Sequence, residues 1–405
     1  MNRFGKSFLV VLFLTFISAL SILGIVNKDL EESYWENRTL VQHPTISIEK
    51  ISDGSFTKEY EEYFTDQFPK RDFWVKSYID IQRLTNQTFI NDYYIDGKYI
   101  FPAPLTYFAQ ENVDVSIAEI NKLGEYTKEK GIEFYYFVLP ARKTTLAANY
   151  PSYVDEGYDL FTKDYIFNNV THPYVKKYDI EKDLQQKYTI DQLKSFYYLS
   201  DHHWNSLGAL KGYESIVNIL HQSSQSLRVN AFNEDNYTEI FAEEGMNFLG
   251  SYNRQLYNLV KTSEERTSHF ISNKIDYNDL EVYIGSPSWA PKSNYSTVFG
   301  TEMNGSANGD LTYGGIFTGD YRELHIINPA LKEEDTKVLV VKDSYVNPLK
   351  FLLAENFYQT TFFDLRYNTD RSLISFIEEN DFDAVLLMYN GTTIFNVMYN
   401  FEHSY

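Results

Sequence analysis

The sequence predicts an α/β protein in which a parallel sheet is flanked by helices, interrupted by a polar insertion and preceded by a transmembrane helix. Three observations carry that expectation. Near the C-terminus, the apolar runs Val338–Val341, Thr360–Phe363 and Ala384–Met388 alternate with helical segments. A β-loop-α-β-α-β order implies parallel strands joined by right-handed crossovers. Earlier, a helical pattern over about Val115–Lys130, stopped by Gly131, leads into Ile132–Leu139. That run is too apolar to alternate and reads as a buried strand ending at Pro140. At the N-terminus, Phe8–Val26 carries no charge and follows Arg3 and Lys6, close to the ~20 residues that span a bilayer.

The basic flank of Phe8–Val26 should stay cytoplasmic, leaving everything after about residue 30 outside as a single-pass protein of the cell membrane. No Ala-x-Ala site follows the apolar run, so an uncleaved signal anchor is expected; a cleaved signal peptide is the alternative. The domain plan is a signal anchor over 1–30, a helical and loop region over 31–90, and an α/β domain over 91–405 with an insertion over about 223–335. Within the second region, helices are expected around Phe56–Tyr63 and Phe73–Leu84, separated by the polar breaks Glu36-Asn37-Arg38 and Asp66–Arg71. Asp96-Gly97-Lys98 between Tyr93–Ile95 and Tyr99–Phe101 signals a hairpin. Arg142 and Lys143 follow the Ile132–Leu139 strand, where open α/β sheets place ligands, although a solvated basic pair is the ordinary reading. Residues 151–195 are mixed, and Ser206–His221 reads as a helix. The stretch 223–335 is polar and weakly periodic, with sequons at Asn236, Asn294 and Asn304 that matter only in a eukaryotic secretory pathway.

Composition narrows the function. The formal net charge is −20, which disfavours a nucleic-acid binder and repels polyanions at long range. There is no cysteine, so disulfides, thiolate metal sites and cysteine nucleophiles are excluded. Tyrosine (35) and phenylalanine (30) are both frequent; core packing is their ordinary use, and sugar stacking is a second one.

Tyr197–Asn205 holds two of the eight histidines beside a carboxylate. In an extended or turn backbone, Asp201 and His203 at i and i+2 point the same way. The carboxylate can then orient the imidazole and leave its other nitrogen as a base. His202 should face away, since adjacent side chains diverge in an extended chain. A helix start, with Asp201 as cap and Trp204 in the core, is the competing reading. No metal is expected.

Each C-terminal strand ends in a polar loop, carrying Ser344, Arg366 and Asn390 in turn. A serine on a tight strand-to-helix turn is exposed and lies near N–H groups able to hold an oxyanion. Asn347-Pro348 reads as the helix cap and first helical residue, which leaves Ser344 available as nucleophile rather than cap. Arg366 is equally consistent with a surface salt bridge.

Asp201-His202-His203-Trp204, followed by Asn205 and Gly208-Ala209, closely resembles the signature of the DHHW proteins, relatives of the alginate O-acetyltransferases with an SGNH-hydrolase-like domain. Glu36-Asn37-Arg38 and Asp66–Arg71 also resemble that family. Asp343-Ser344 resembles the Gly-Asp-Ser block of SGNH enzymes, with Lys342 in place of glycine. The resemblance implies Ser344, His203 and Asp201 as a catalytic triad. Asn390, Arg366, Trp204 and Tyr389 would then contact oxyanion or substrate. It implies an O-acyltransferase acting on a cell-surface or secreted polysaccharide, with no cofactor. A multi-span membrane-bound O-acyltransferase would supply the acyl group. An esterase with the same triad, or a non-catalytic glycan-binding protein, are the alternatives.

Overall fold

The computed structural model describes residues 3–242, 246–262, 265, 267–298, 310–368, 370–393 and 397–402. Asn304 lies outside them. The chain divides into two compact units, Met1–Asp92 with Asn253–Leu259, and Tyr93–Tyr252 with Val260–Tyr405.

In the first unit, a helix runs over Arg3–Val26. Its Ser7–Val26 portion is long and apolar enough to cross a membrane. Helices Ser55–Asp66 and Arg71–Leu84 follow. The two polar breaks become one ionic network. Arg38 donates to both oxygens of buried Asp66 at 2.7 and 2.6 Å, and Arg71 donates to Glu36 at 2.6 Å. Bidentate pairing of this kind fixes orientation as well as charge, so these residues have a structural role in their own unit.

The second unit is built on an eight-stranded sheet. In chain order its strands are β1 (Glu133–Leu139), β2 (Lys176–Asp179), β3 (Glu281–Ile284), β4 (Lys292–Ser293), β5 (Glu323–Ile327), β6 (Lys337–Lys342), β7 (Gln359–Phe363) and β8 (Ala384–Asn390). The spatial order is β4-β3-β5-β7-β6-β8-β1-β2. From β7 to β2 every neighbouring pair is parallel, whereas β5, β3 and β4 add on antiparallel. The insertion therefore extends the sheet. Its strand β5 was hidden by the polar Glu323 and His325, which are buried against each other at 2.6 Å.

Alternation along β1 sends Tyr135, Phe137 and Leu139 to one core and Phe134, Tyr136 and Val138 to the other. Both faces are thus covered, as parallel sheets require. One cover is α1 (Gln110–Lys130), ended by Gly131 at φ +73°; the opposite one is α2 (Ser206–Ser223), capped by the Asn205 side chain. The Tyr93–Asp96 and Tyr99–Pro102 strands form the expected hairpin.

Candidate active site

The carboxyl ends of β6, β7 and β8 lie side by side, because their register is parallel and in step. The loop after β6 turns at once into a 3-10 helix, Ser344–Leu349, whose cap is Asp343 accepting from Tyr345 N–H at 2.9 Å. This corrects the expectation that Asn347-Pro348 begins the helix; Asn347 and Pro348 sit inside it. The proline has a consequence for the turn. Lacking an N–H, it cannot bond back to the carbonyls of Ser344 or Tyr345. Those carbonyls accept instead from Tyr313 Oη at 2.7 Å and Trp204 Nε1 at 2.9 Å.

The Asp201–Trp204 motif is carried by a tight loop closed by an antiparallel bridge between Tyr197 and Trp204. Asp201 Oδ1 receives His203 Nδ1 at 2.6 Å, and His203 Nε2 meets Ser344 Oγ at 2.8 Å across 141 positions of sequence. Ser344 is half-buried, whereas Asp201 and His203 are buried. Asp201 Oδ2 also accepts from Ser251 N–H at 2.7 Å. Burial pushes the Asp201 carboxyl up, but the two imidazoles and the Ser251 N–H outweigh it, and the net displacement is well downward. The carboxylate is therefore ionised at neutral pH.

His202 does not turn away. Its ring lies 3.7 Å from that of His203, and its Nδ1 is 3.5 Å from Asp201 Oδ1. The loop is curled rather than extended, so neighbouring side chains share a side. Asp201, His202 and His203 thus bring three ligand-type atoms within 4.8 Å of one another. Hydrogen bonds already match them, since His202 Nδ1 pairs with Ser251 Oγ at 2.9 Å and His203 with Asp201. Desolvation, and then the neighbouring His203, push His202 down, although 40% of its side chain remains exposed.

The other anticipated residues divide. Arg366 lies in the loop after β7, held by Asp364 at 2.9 and 2.6 Å and by Asp320 at 3.0 Å. Asn390 ends β8, and its amide donates to Asp343 at 2.7 Å and Thr393 at 2.8 Å. With both hydrogens committed, it braces Asp343 instead of presenting a free donor. Trp204 is 1% exposed and packs beneath the turn through its bond to Tyr345. Tyr389 alternates to the far core and donates to Met398 O at 2.7 Å. Neither aromatic reaches the cleft, which corrects their assignment as substrate contacts. Lys342, standing where SGNH enzymes carry glycine, is buried and donates to Asp320 at 2.7 Å and Asn347 at 2.9 Å. It ties the serine turn to the Arg366 loop.

Several supporting residues had no local signal. Tyr313 stacks parallel on the His203 ring at 3.5 Å, and only a solved tertiary arrangement pairs them. Arg142, anticipated as a ligand contact or a solvated charge, is 1% exposed. Its guanidinium donates to the carbonyls of Tyr198, Asp201 and Leu199 at 2.7, 2.7 and 3.0 Å. Buried Glu265 accepts from Leu199 N–H and from Ser200 Oγ, the latter at 2.9 Å; burial pushes its carboxyl up to about 7. Gly250 packs against the Ser200 carbonyl so closely that a Cβ would collide with that backbone.

A sheet with parallel strands feeding these loops, and an Asp-His pair facing a serine, are features this chain has in common with SGNH hydrolase-like domains. Residues 103–267 match the family described as SGNH hydrolase-like domain, acetyltransferase AlgX. The match takes in the Asp-His-His-Trp motif and ends before Ser344. Among solved structures, Bacillus cereus PatB1 is similar at 27% identity and a TM-score of 0.68, over 76% of this chain and 99% of that one. The same protein with a sulfonyl adduct aligns at 25% identity and 0.66, over 77% and 100%. A DHHW family protein from Eubacterium siraeum shares the fold at 18% identity and 0.54, over 78% and 96%. No curated protein matches the chain. The resemblance to DHHW proteins and SGNH-like acetyltransferases anticipated from the motif is thereby shown.

Proposed function

We propose that this protein is an extracytoplasmic, membrane-anchored O-acyltransferase that acetylates a polysaccharide through an acyl-serine intermediate. The observation that carries the reading is the unbroken relay Asp201–His203–Ser344, at 2.6 and 2.8 Å. Both contacts lie within the reach required of a nucleophile, its base and the group that orients the base. With Nδ1–H held by Asp201, His203 Nε2 takes the Ser344 proton as Oγ attacks the donor carbonyl. His203⁺ then protonates the leaving group, and the neutral ring later deprotonates an incoming sugar hydroxyl. The Tyr313 ring face against the imidazole favours the cationic form in that interval. Ser344 N–H stands at the start of the helical turn and has no acceptor among the described residues, which suits it to the oxyanion. Arg366, fixed at the rim by Asp364 and Asp320, adds positive charge.

A sulfonyl adduct on the similar PatB1 is the class of product an activated hydroxyl forms, and it favours the covalent route. The test is labelling by a sulfonyl fluoride or fluorophosphonate. Stoichiometric labelling is expected, and Ser344→Ala should abolish it with the fold retained. A folded protein that takes no label would point to the non-catalytic glycan-binding alternative.

The Ser7–Val26 helix supports anchoring; a multi-span membrane-bound O-acyltransferase, the partner expected from the family resemblance, would then hand acyl groups outward to the anchored domain. The full chain should sediment with membranes and leave them only with detergent. A mature soluble form beginning near residue 27 would contradict the anchor.

A further inference from the structure

The segment Tyr198–Asp201, which leads into the relay, is held between two buried charges of opposite sign. On one side stands Arg142, whose guanidinium donates to the carbonyls of Tyr198, Leu199 and Asp201 at 2.7, 3.0 and 2.7 Å. On the other stands Glu265, which the insertion supplies. One of its oxygens accepts from Leu199 N–H and the other from Ser200 Oγ at 2.9 Å. Arg142 is 1% exposed and Glu265 8%, so water does not readily replace either. The Glu265 carboxylate also favours the charged guanidinium against the cost of its burial.

No step of the acyl transfer uses Glu265, yet it grips the two residues that precede Asp201. The other contacts of that stretch come from the 250–252 loop. Gly250 N–H donates to Ser200 Oγ at 3.3 Å, Tyr252 N–H to Ser200 O at 3.1 Å, and Ser251 N–H to Asp201 Oδ2 at 2.7 Å. Ser200 Oγ is thus an acceptor toward Gly250 and has its own proton to give. An ionised carboxylate is an acceptor only, and it satisfies both the Leu199 N–H and that hydroxyl proton. Protonation turns one carboxyl oxygen into a donor. One buried proton then loses its acceptor, and Arg142 loses the anion that faces it.

The charged and titratable groups facing this carboxyl are Arg142, which draws it down, Asp201, which pushes it up, and the phenols of Tyr99 and Tyr198. Burial is the largest influence and carries it up to about 7. Its charge therefore changes within the range in which a histidine base works.

We infer that Glu265 is a positioning residue for the acyl-serine reaction: its carboxylate, set against Arg142, holds the Leu199–Ser200 peptide so that Asp201 meets His203, and protonation of that carboxylate releases the hold. This deepens the acyltransferase reading above and rests on it. Two deprotonations, of His203 and of Glu265, then precede attack by Ser344.

The experiment measures the rate of Ser344 labelling by a neutral sulfonyl fluoride from about pH 5 to 9, on the full chain in detergent. In the wild-type protein the logarithm of the rate should rise on the acid side with a slope approaching two, as two required deprotonations demand. Glu265→Gln imitates the protonated carboxyl. It should rise with a slope of one and label about tenfold or more slowly at pH 8, the scale of loss that misplacement of a catalytic group causes. Glu265→Asp keeps the charge on a shorter arm and should recover part of the rate together with the steep slope. A merely structural role would lower the rate at every pH and leave the slope as it was. The inference is overturned if the wild-type slope is one, if Glu265→Gln keeps a slope of two, or if it labels at the wild-type rate. A wild-type protein that takes no label would instead remove the acyltransferase reading, so the two failures are separable.

Discussion

Replacing His203 by alanine should lower acyl transfer and covalent labelling of Ser344 by about 10⁴-fold or more, as loss of a triad member does elsewhere. Both nitrogens of this ring are committed, Nδ1 to Asp201 and Nε2 to Ser344. No other described group stands in that position to take the serine proton. His202→Ala should cost about tenfold, since general-base loss does not apply. His202 touches the relay through the tilted contact of its ring with that of His203, through its Nδ1 3.5 Å from Asp201 Oδ1 and through its bond to Ser251, so its loss loosens the ring without removing the base. Labelling rates and turnover of 4-nitrophenyl acetate, measured on variants with wild-type circular dichroism, check this. Equal losses in the two variants would mean that the base has been assigned to the wrong histidine.

The second large effect is on stability. Arg142→Met keeps the length and apolar stem of the side chain but removes donors from the Tyr198, Leu199 and Asp201 carbonyls. Arg142 is itself buried among Tyr99, Phe101 and Tyr252, with its guanidinium 4.9 Å from the Phe101 centroid. Water cannot readily take over the three bonds. Buried acceptors left unpaired cost about 1–3 kcal/mol each, and some relaxation is expected, so a net loss of about 3 kcal/mol follows. For a unit of this size that corresponds to a fall of roughly 5 °C in Tm. Arg142→Lys should recover part of it, because an ammonium offers donors but not the planar fork. Thermal unfolding followed by far-UV circular dichroism measures both. A Tm within a degree of wild type for Arg142→Met would show that the carbonyls find other donors, and that Arg142 does not pin the motif loop.

What the chain states locally is legible without a structure. Val338–Val341, Thr360–Phe363 and Ala384–Met388 announce buried parallel strands because a strand covered on both faces must be apolar throughout. Gly131 and Gly97 mark a helix end and a hairpin through backbone conformations that other residues resist. Asp201 and His203 advertise their pairing because two positions of spacing suffice to bring them together. Strands whose interior polar residues are paired in space escape this logic. Glu323 and His325 make β5 look like surface, and their mutual bond and burial appear only when the sheet is assembled.

The tertiary structure decided everything that depends on distant partners. Ser344 meets His203 because β6 delivers its loop beside the Tyr197–Asn205 turn, and 141 positions of chain encode that meeting only through the fold. The same is true of Tyr313 on the imidazole and of Arg142 under three carbonyls. It also holds for Asn390, whose amide is spent on Asp343. A residue's type shows which bonds it can make, whereas packing settles which partner arrives. An arginine that composition would leave in water is thereby buried as a pin. An adjacent histidine that an extended chain would turn away is folded back onto its neighbour.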